Sequence, residues 1–261
     1  MLGSLSSFLP ENGVRMHLVF TDLDGSLLDH ETYSWEAARP ALERLKELGV
    51  PWMMVTSKTR AEVEVLRRAI GNAHPYIVEN GGAAIFPGGP VLQWGAVYGE
   101  LVESLRKASQ ASGCQVRGFH EMTVAEVAQR CGLSMEQAAL AKQREYDEPF
   151  VVMDAGRVEE LAAAIEADGR RVTRGGRFWH ILGDGDKALA VRAVADTFGP
   201  ATTIGLGDSL NDAGFLNVVD RAVLIRSAHS PELAQAVPRG VLTDLPGPAG
   251  WNAAVLGLFP A

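Results

Sequence analysis

Apolar residues fall into short runs and helical stripes that alternate along the chain. Leu18-Val19-Phe20 is a compact apolar run and predicts a buried strand. From 34 to 48 the residues Ala37, Ala38, Ala41, Leu42, Leu45 and Leu48 lie on one helical stripe. Ser34 is placed to cap that helix and Gly49 to stop it. Pro51-Trp52-Met53-Met54-Val55 predicts a second strand, 60–70 a second helix closed by Gly71, and Tyr76-Ile77-Val78 a third strand. Strand, helix, strand, helix, strand with short apolar strands predicts a parallel sheet with crossover helices. Ala83 to Phe86 reads as a short hairpin partner.

Pro87-Gly88-Gly89-Pro90 then breaks the pattern. Beyond it helices are expected at 98–111, 123–130, 134–142 and 157–167, and strands at 150–153, 171–173 and 178–182. Gly175-Gly176 suggests a tight hairpin between the last two strands. The sheet pattern resumes with a helix at 186–198, a strand at 201–206, a helix reaching 216, a strand at 222–225 and a helix from Ser230. A closing helix at 251–258 is the only element read in the tail. The expected organisation is an α/β core at 16–88 and 184–261, a small α+β domain inserted at 89–183, and a loosely ordered leader at 1–15.

Composition narrows the picture. A chain of 261 residues, 47% hydrophobic, is long enough for a sizeable core. A net charge of -8 argues against a nucleic-acid surface. Two cysteines give neither a disulfide framework nor a metal-ligand spacing, so a reduced, cytoplasmic setting is the default. No apolar run is long enough to span a membrane, and the leader lacks the basic start and apolar core of a secretory signal. Arg outnumbers Lys nineteen to five, as in GC-rich genomes and thermophiles.

Polar residues gather where the predicted strands stop, and in parallel sheets those ends form the ligand crevice. The first strand ends in Asp22-Leu23-Asp24-Gly25. Two carboxylates so close in a buried setting call for a cation, and hard divalent ions such as Mg²⁺ take oxygen ligands. Thr56-Ser57-Lys58 follows the second strand, Lys187 opens a late helix, and Gly207-Asp208-Ser209-Leu210-Asn211-Asp212 follows a late strand. Each has an ordinary structural reading alone: a turn, a helix cap, a solvated lysine, a capped helix start. Together they supply phosphoryl transfer. A carboxylate can attack phosphorus, a second can exchange a proton with the leaving oxygen and then with water, and a cation, a hydroxyl and an ammonium can hold the phosphoryl oxygens.

These pieces, in this order, resemble the haloacid dehalogenase-like phosphatases, with a Rossmann-like doubly wound core. The position of the insertion resembles the subgroup with an α/β cap of the Cof type. The resemblance implies Asp22 as nucleophile, Asp24 as acid and base, and Thr56 and Lys187 as phosphate-holding groups. It also implies Mg²⁺ on Asp22, Asp24, Asp208 and Asp212. The runs Thr56–Thr59, Glu79–Gly81, Arg144–Phe150 and Gly175–His180 further resemble the mannosyl-3-phosphoglycerate phosphatases, which make a compatible solute. This implies a small phosphorylated sugar acid as substrate. Ser57, Lys58, Glu79, Asn80 and Asn211 are candidate contacts near the strand ends, and Glu145, Glu148, Gly175, Gly176, Arg177 and His180 are candidates in the insertion. Sucrose-6-phosphate, trehalose-6-phosphate and hexose phosphates remain alternatives, as does a phosphosugar mutase. A receiver-type phospho-acceptor fits less well, because Glu79-Asn80 stands where its acceptor Asp would end the third strand.

Overall fold

A computed structural model describes residues 16–175 and 177–260; the leader at 1–15 and Gly176 lie outside the described residues. In chain order the first elements are β1 (Met16–Thr21), α1 (Arg39–Glu47), β2 (Trp52–Met54), α2 (Arg60–Ile70) and β3 (Tyr76–Val78). Then come β4 (Ala83–Ile85), β5 (Val91–Gln93), α3 (Tyr98–Ser112), β6 (Val116–Gly118), α4 (Val124–Cys131) and α5 (Met135–Ala141). β7 (Asp147–Val152), α6 (Val158–Ala167), β8 (Arg171–Arg174), β9 (Trp179–Leu182), α7 (Lys187–Phe198) and β10 (Ala201–Gly207) follow. The chain closes with α8 (Ala213–Leu216), β11 (Arg221–Arg226), α9 (Ser230–Ala236), β12 (Val241–Pro246) and α10 (Gly247–Leu258). None of these helices is long and apolar enough to cross a membrane.

The main sheet is parallel, in the order β12-β11-β10-β1-β2, and a bridge from Val55 to Ile77 continues it toward β3. The chain runs outward from β1 through β2, then returns to the other side of β1 and runs outward through β10, β11 and β12. The order therefore reverses between β1 and β10, the point at which doubly wound sheets open a ligand crevice. Leu18, Val19 and Phe20 are fully buried, as an apolar central strand requires. Thr21 is also buried; its hydroxyl accepts from the Trp251 indole N–H at 2.9 Å, which ties the end of β1 to α10. The second sheet is antiparallel, in the order β6-β7-β9-β8, with α3 and α6 packed together over a core of Leu101, Leu105, Phe150, Leu161, Ile165 and Ile181.

Several boundaries differ from expectation. The helix expected at 34–48 is a 3-10 turn, Glu36–Ala38, followed by α1. Pro40 explains the break, because it lacks an N–H and restricts the residue before it, so the regular helix starts beside it. The strand expected at 150–153 begins at Asp147, since Asp147 and Glu148 are buried within β7 on hydrogen-bonding partners far along the chain. β6 and β12 were not expected; β12 in particular is largely exposed, so no apolar run marks it.

Compact units also divide the chain differently from the expected domains. Among the described residues one comprises 16–56, 74–77 and 187–260, the other 57–73, 78–175 and 177–186. The segment 57–73 belongs with the second unit because its polar atoms are satisfied there. Arg144 donates to the Ser57 carbonyl at 2.8 Å, the Thr59 hydroxyl donates to the Leu140 carbonyl at 3.0 Å, and α2 packs on α5.

Candidate functional site

The parallel-sheet unit gathers its polar groups at the carboxyl ends of β1, β2 and β10. Thr21 is level with Leu206 in one neighbour and with Met54 in the other. Asp22 keeps the pairing one residue further, its N–H donating to Leu206 at 2.8 Å, while Val55 donates to Thr21 at 2.8 Å and Thr56 to Ile77 at 3.1 Å. The tertiary sheet thus brings Asp22, Thr56 and Asp208 to adjacent strand ends. Lys187 comes from the first position of α7, and its ammonium donates to Asp22 Oδ1 at 2.9 Å and to Asp212 Oδ1 at 2.6 Å. Asp212 Oδ2 accepts from the N–H groups of Asp208 and Ser209 at 3.2 and 3.1 Å, so the loop after β10 is folded around that carboxylate. Asn211 is exposed and accepts from the Ser209 hydroxyl.

Two glycines are needed for this approach. Gly25 has φ +81°, and a Cβ there would lie 2.6 Å from Asp208 Oδ2; at Gly207 a Cβ would lie 2.7 Å from the Asp212 Cβ.

Asp22, Asp208 and Asp212 are all buried and offer ligand oxygens within 4.8 Å of one another, the only such group of three among the described residues. Three carboxylates and one ammonium carry a surplus of negative charge in a place with little water. Burial pushes the Asp22 carboxyl up to about 7, with Asp212 adding and Lys187 opposing. Burial, then Asp22 and Asp212, push Asp208 up to about 9. Burial would lower the Lys187 ammonium, but Asp212 and Asp22 reverse this and hold it above its usual value. An all-oxygen donor set with surplus charge fits a hard divalent cation, which would let these carboxyls ionise together.

The second unit holds a separate buried polar network. Asp147 and Glu148 are consecutive on β7, so their side chains leave opposite faces, and both are fully buried. Asp147 accepts from Asn80 Nδ2 at 2.8 Å and from His180 Nδ1 at 2.9 Å, with Arg144 3.7 Å away. Burial would raise its carboxyl, but His180, Arg144 and Asn80 hold it below the usual carboxylate range. Glu148 pairs with His120 Nδ1 at 2.6 Å and accepts from the Tyr98 hydroxyl at 2.7 Å. Glu148 raises the His120 imidazole. Gly118 leaves room for that pair, since a Cβ there would lie 2.1 Å from Glu148 Oε1.

Glu79 is fully buried and accepts from the N–H groups of Glu145 at 3.0 Å and Tyr146 at 2.8 Å. Glu79 and Asn80 both have left-handed backbone, φ 48° and 58°, which non-glycine residues adopt only when the surroundings hold them there. Glu79 and Glu148, expected at substrate hydroxyls, thus give their oxygens to internal donors. Lys58 lies 3.8 Å from Glu62. Arg177 is exposed and donates to the Cys131 carbonyl, and the Gly175 N–H donates to Phe178 at 2.9 Å. In sequence Asp147 stands beside Glu145 and Glu148 as a candidate acceptor for substrate hydroxyls, whereas Tyr98 and His120 carry no such reading. Nothing local marks Tyr98 or His120, because their partner Glu148 lies 50 and 28 residues away.

Burial pushes the Glu79 carboxyl from 4.5 up to about 7, against the opposing pull of Arg144 and the two N–H donors. A carboxyl held above its unfolded value adds stability while protonated, below about pH 4.5, and gives it up as pH rises through about 7. Glu79→Gln keeps an acceptor oxygen for both N–H groups and cannot ionise. Urea unfolding at several pH values is expected to show the variant gaining on the wild type by about 3 kcal/mol between pH 4.5 and 7.5. A constant difference would show that Glu79 does not titrate there.

Comparison with known proteins agrees with this geometry. A sequence family described as haloacid dehalogenase-like hydrolase matches residues 19–237. A glucosyl-3-phosphoglycerate/mannosyl-3-phosphoglycerate phosphatase of Methanococcoides burtonii is 39% identical, covering 93% of this chain and 97% of its own. The protein of the same name from Persephonella marina is 37% identical, covering 91% and 95%. Among solved structures, a haloacid dehalogenase-like hydrolase from Bacteroides thetaiotaomicron shares the fold with a TM-score of 0.71 at 19% identity, covering 94% of this chain and all of its own.

Proposed function

Because this chain belongs to the haloacid dehalogenase-like hydrolases, we propose that it releases phosphate from mannosyl-3-phosphoglycerate, or its glucosyl counterpart, to leave the glycosylglycerate. The observation that carries the chemistry is the buried cluster of Asp22, Asp208 and Asp212, with Lys187 donating to Asp22 and Asp212. What supports the substrate is the extent of the likeness: two relatives that bear that name align with nearly the whole chain.

In the proposed reaction an Asp22 carboxylate oxygen attacks phosphorus while the bond from phosphorus to the glycerate oxygen breaks. Asp24 gives its proton to the departing alkoxide. It then takes a proton from water, whose oxygen attacks phosphorus, breaks the acyl-phosphate bond and restores the Asp22 carboxylate. Lys187 and the Thr56 hydroxyl hold phosphoryl oxygens as charge develops. Asp22, Asp208 and Asp212 would hold Mg²⁺, with the Asp24 carbonyl as a further ligand. When bound, the cation offsets the repulsion between nucleophile and phosphate. The core is proposed to comprise 16–88 and 184–261 and the cap 89–183.

The test is a substrate panel with Mg²⁺: both glycosyl phosphoglycerates, sucrose-6-phosphate, trehalose-6-phosphate and a hexose phosphate. The kcat/KM for a glycosyl phosphoglycerate is expected to exceed the others by at least about tenfold. Equal values across the panel would sink the substrate assignment and leave the chemistry standing.

A further inference from the structure

Beside the acidic cluster, and wholly within the parallel-sheet unit, lies a cavity of about 250 Å³. Its walls come from the loop after β1, with Gly25, Asp29 and His30, and from the ends of β10, β11 and β12, with Asp208, Arg226 and His229. It therefore opens at the same edge of the sheet as Asp22, on the side of β10 away from β2.

The side chains available to a ligand there are basic. Arg226 is anchored at one point, its Nε donating to the Thr243 carbonyl at 3.0 Å and its backbone N–H to the Thr243 hydroxyl at 3.0 Å. Its two terminal nitrogens make no hydrogen bond or ion pair among the described residues. They keep four N–H donors in the planar fork that suits a carboxylate or phosphate. The imidazoles of His30 and His229 are exposed and likewise hold no hydrogen bond among the described residues; each carries at least one N–H donor whether neutral or charged.

The acidic groups on the same wall are already committed. Asp29 Oδ1 accepts from the N–H groups of Glu31 and Thr32 at 3.1 and 2.8 Å and from the Thr32 hydroxyl at 2.8 Å. Those bonds hold its carboxyl below the usual range, so it stays a turn-forming acceptor. Asp208 belongs to the acidic cluster. Its carbonyl accepts from the Ser227 hydroxyl at 2.7 Å, and that hydroxyl also accepts from the His229 N–H at 3.1 Å. The basic loop is thereby fixed to the residue that follows β10.

We propose that this cavity is an oxyanion subsite, separate from the phosphoryl position at Lys187, in which Arg226 with His229 and His30 binds a carboxylate or phosphate group. Two sources could supply that anion. One is the glycerate carboxylate of the substrate, in which case Arg226 and His229 set specificity. The other is inorganic phosphate held next to the cluster after release. The first rests on the proposed substrate.

Arg226→Gln separates them, since its effect falls on an exposed side chain. The wild type and the variant are compared with a glycosyl phosphoglycerate, with p-nitrophenyl phosphate, which has no carboxylate, and with added inorganic phosphate as inhibitor. If the subsite takes the substrate carboxylate, KM for the phosphoglycerate ester rises by about tenfold or more with kcat held, and the aryl phosphate is unaffected. If it takes phosphate, both KM values hold and inhibition by phosphate weakens by a similar factor. No change in any of these overturns the subsite. A protein that hydrolyses the aryl phosphate but not the phosphoglycerate ester overturns the substrate assignment alone. Calorimetric titration with D-glycerate and with phosphate then decides the subsite: loss of either binding in Arg226→Gln supports it, and identical isotherms overturn it.

Discussion

Asp22→Asn is expected to lower turnover by at least about 10³-fold, equivalent to about 4 kcal/mol of lost transition-state stabilisation, while the protein stays folded. The amide has nearly the size of the carboxylate, and its oxygen can still accept from Lys187, so the packing around β1 is kept. What it cannot do is attack phosphorus and form an acyl phosphate. One buried negative charge is also removed from a cluster in which burial and Asp212 already push the Asp22 carboxyl up to about 7. Stability without added metal is therefore expected to hold or rise, and stabilisation by Mg²⁺ to shrink, because one of the three carboxylates proposed to hold the ion is gone. Steady-state kinetics with a glycosyl phosphoglycerate and thermal unfolding with and without Mg²⁺ check both. Turnover within about tenfold of wild type would rule out the covalent route.

Arg144→Met is expected to destabilise the second unit by about 3–5 kcal/mol, the usual range for leaving a buried partner charge uncompensated. The guanidinium is nearly buried and donates to the carbonyls of Ala141 and Ser57 at 3.0 and 2.8 Å. It lies 3.7 Å from Asp147, a carboxylate with no exposure. Burial alone would lower its pKa, yet Asp147 and Glu79 hold it above the ordinary value, so the charge is kept. Methionine replaces the stem but none of the donors. Urea unfolding of the single variants and of Arg144→Met with Asp147→Asn forms a double-mutant cycle. The second substitution is expected to recover part of the loss, because the stranded charge goes with it. A single-variant loss below about 1 kcal/mol would mean that His180 and Asn80 suffice to hold Asp147.

The parallel-sheet unit was largely legible because its local rules agree with its tertiary structure. Leu18 to Phe20 had to be a buried strand, and β2 and β10 are likewise apolar runs that end in polar residues. The candidate phosphoryl-transfer residues were legible for a related reason. Asp22, Thr56, Lys187 and Asp208 each stand at the end of a strand or the start of a helix, which the alternation of apolar runs locates. The second unit was less readable. Asp147 and Glu148 look like a solvated acidic loop in sequence, and only their pairing with His180 and His120 makes them strand residues. β12 has the opposite fault: with five of its six residues exposed, it has no apolar signature and is held by its pairing with β11.

The kind of chemistry was already written in the residue order, because two carboxylates, a hydroxyl, a lysine and a second acidic loop at strand ends suit few reactions other than phosphoryl transfer. It also determined the alternation that forces a parallel sheet. The tertiary structure decided which carboxylates share a site, since Asp22 and Asp212 are brought to one ammonium across 190 positions only by the pairing of β1 with β10. It decided that Glu79 and Glu148 serve internal donors, and that Arg226, His229 and His30 surround one cavity. Such facts depend on which distant residues meet. The periodicity of a chain fixes which face a side chain takes within its own element, whereas sheet order and register fix its neighbours.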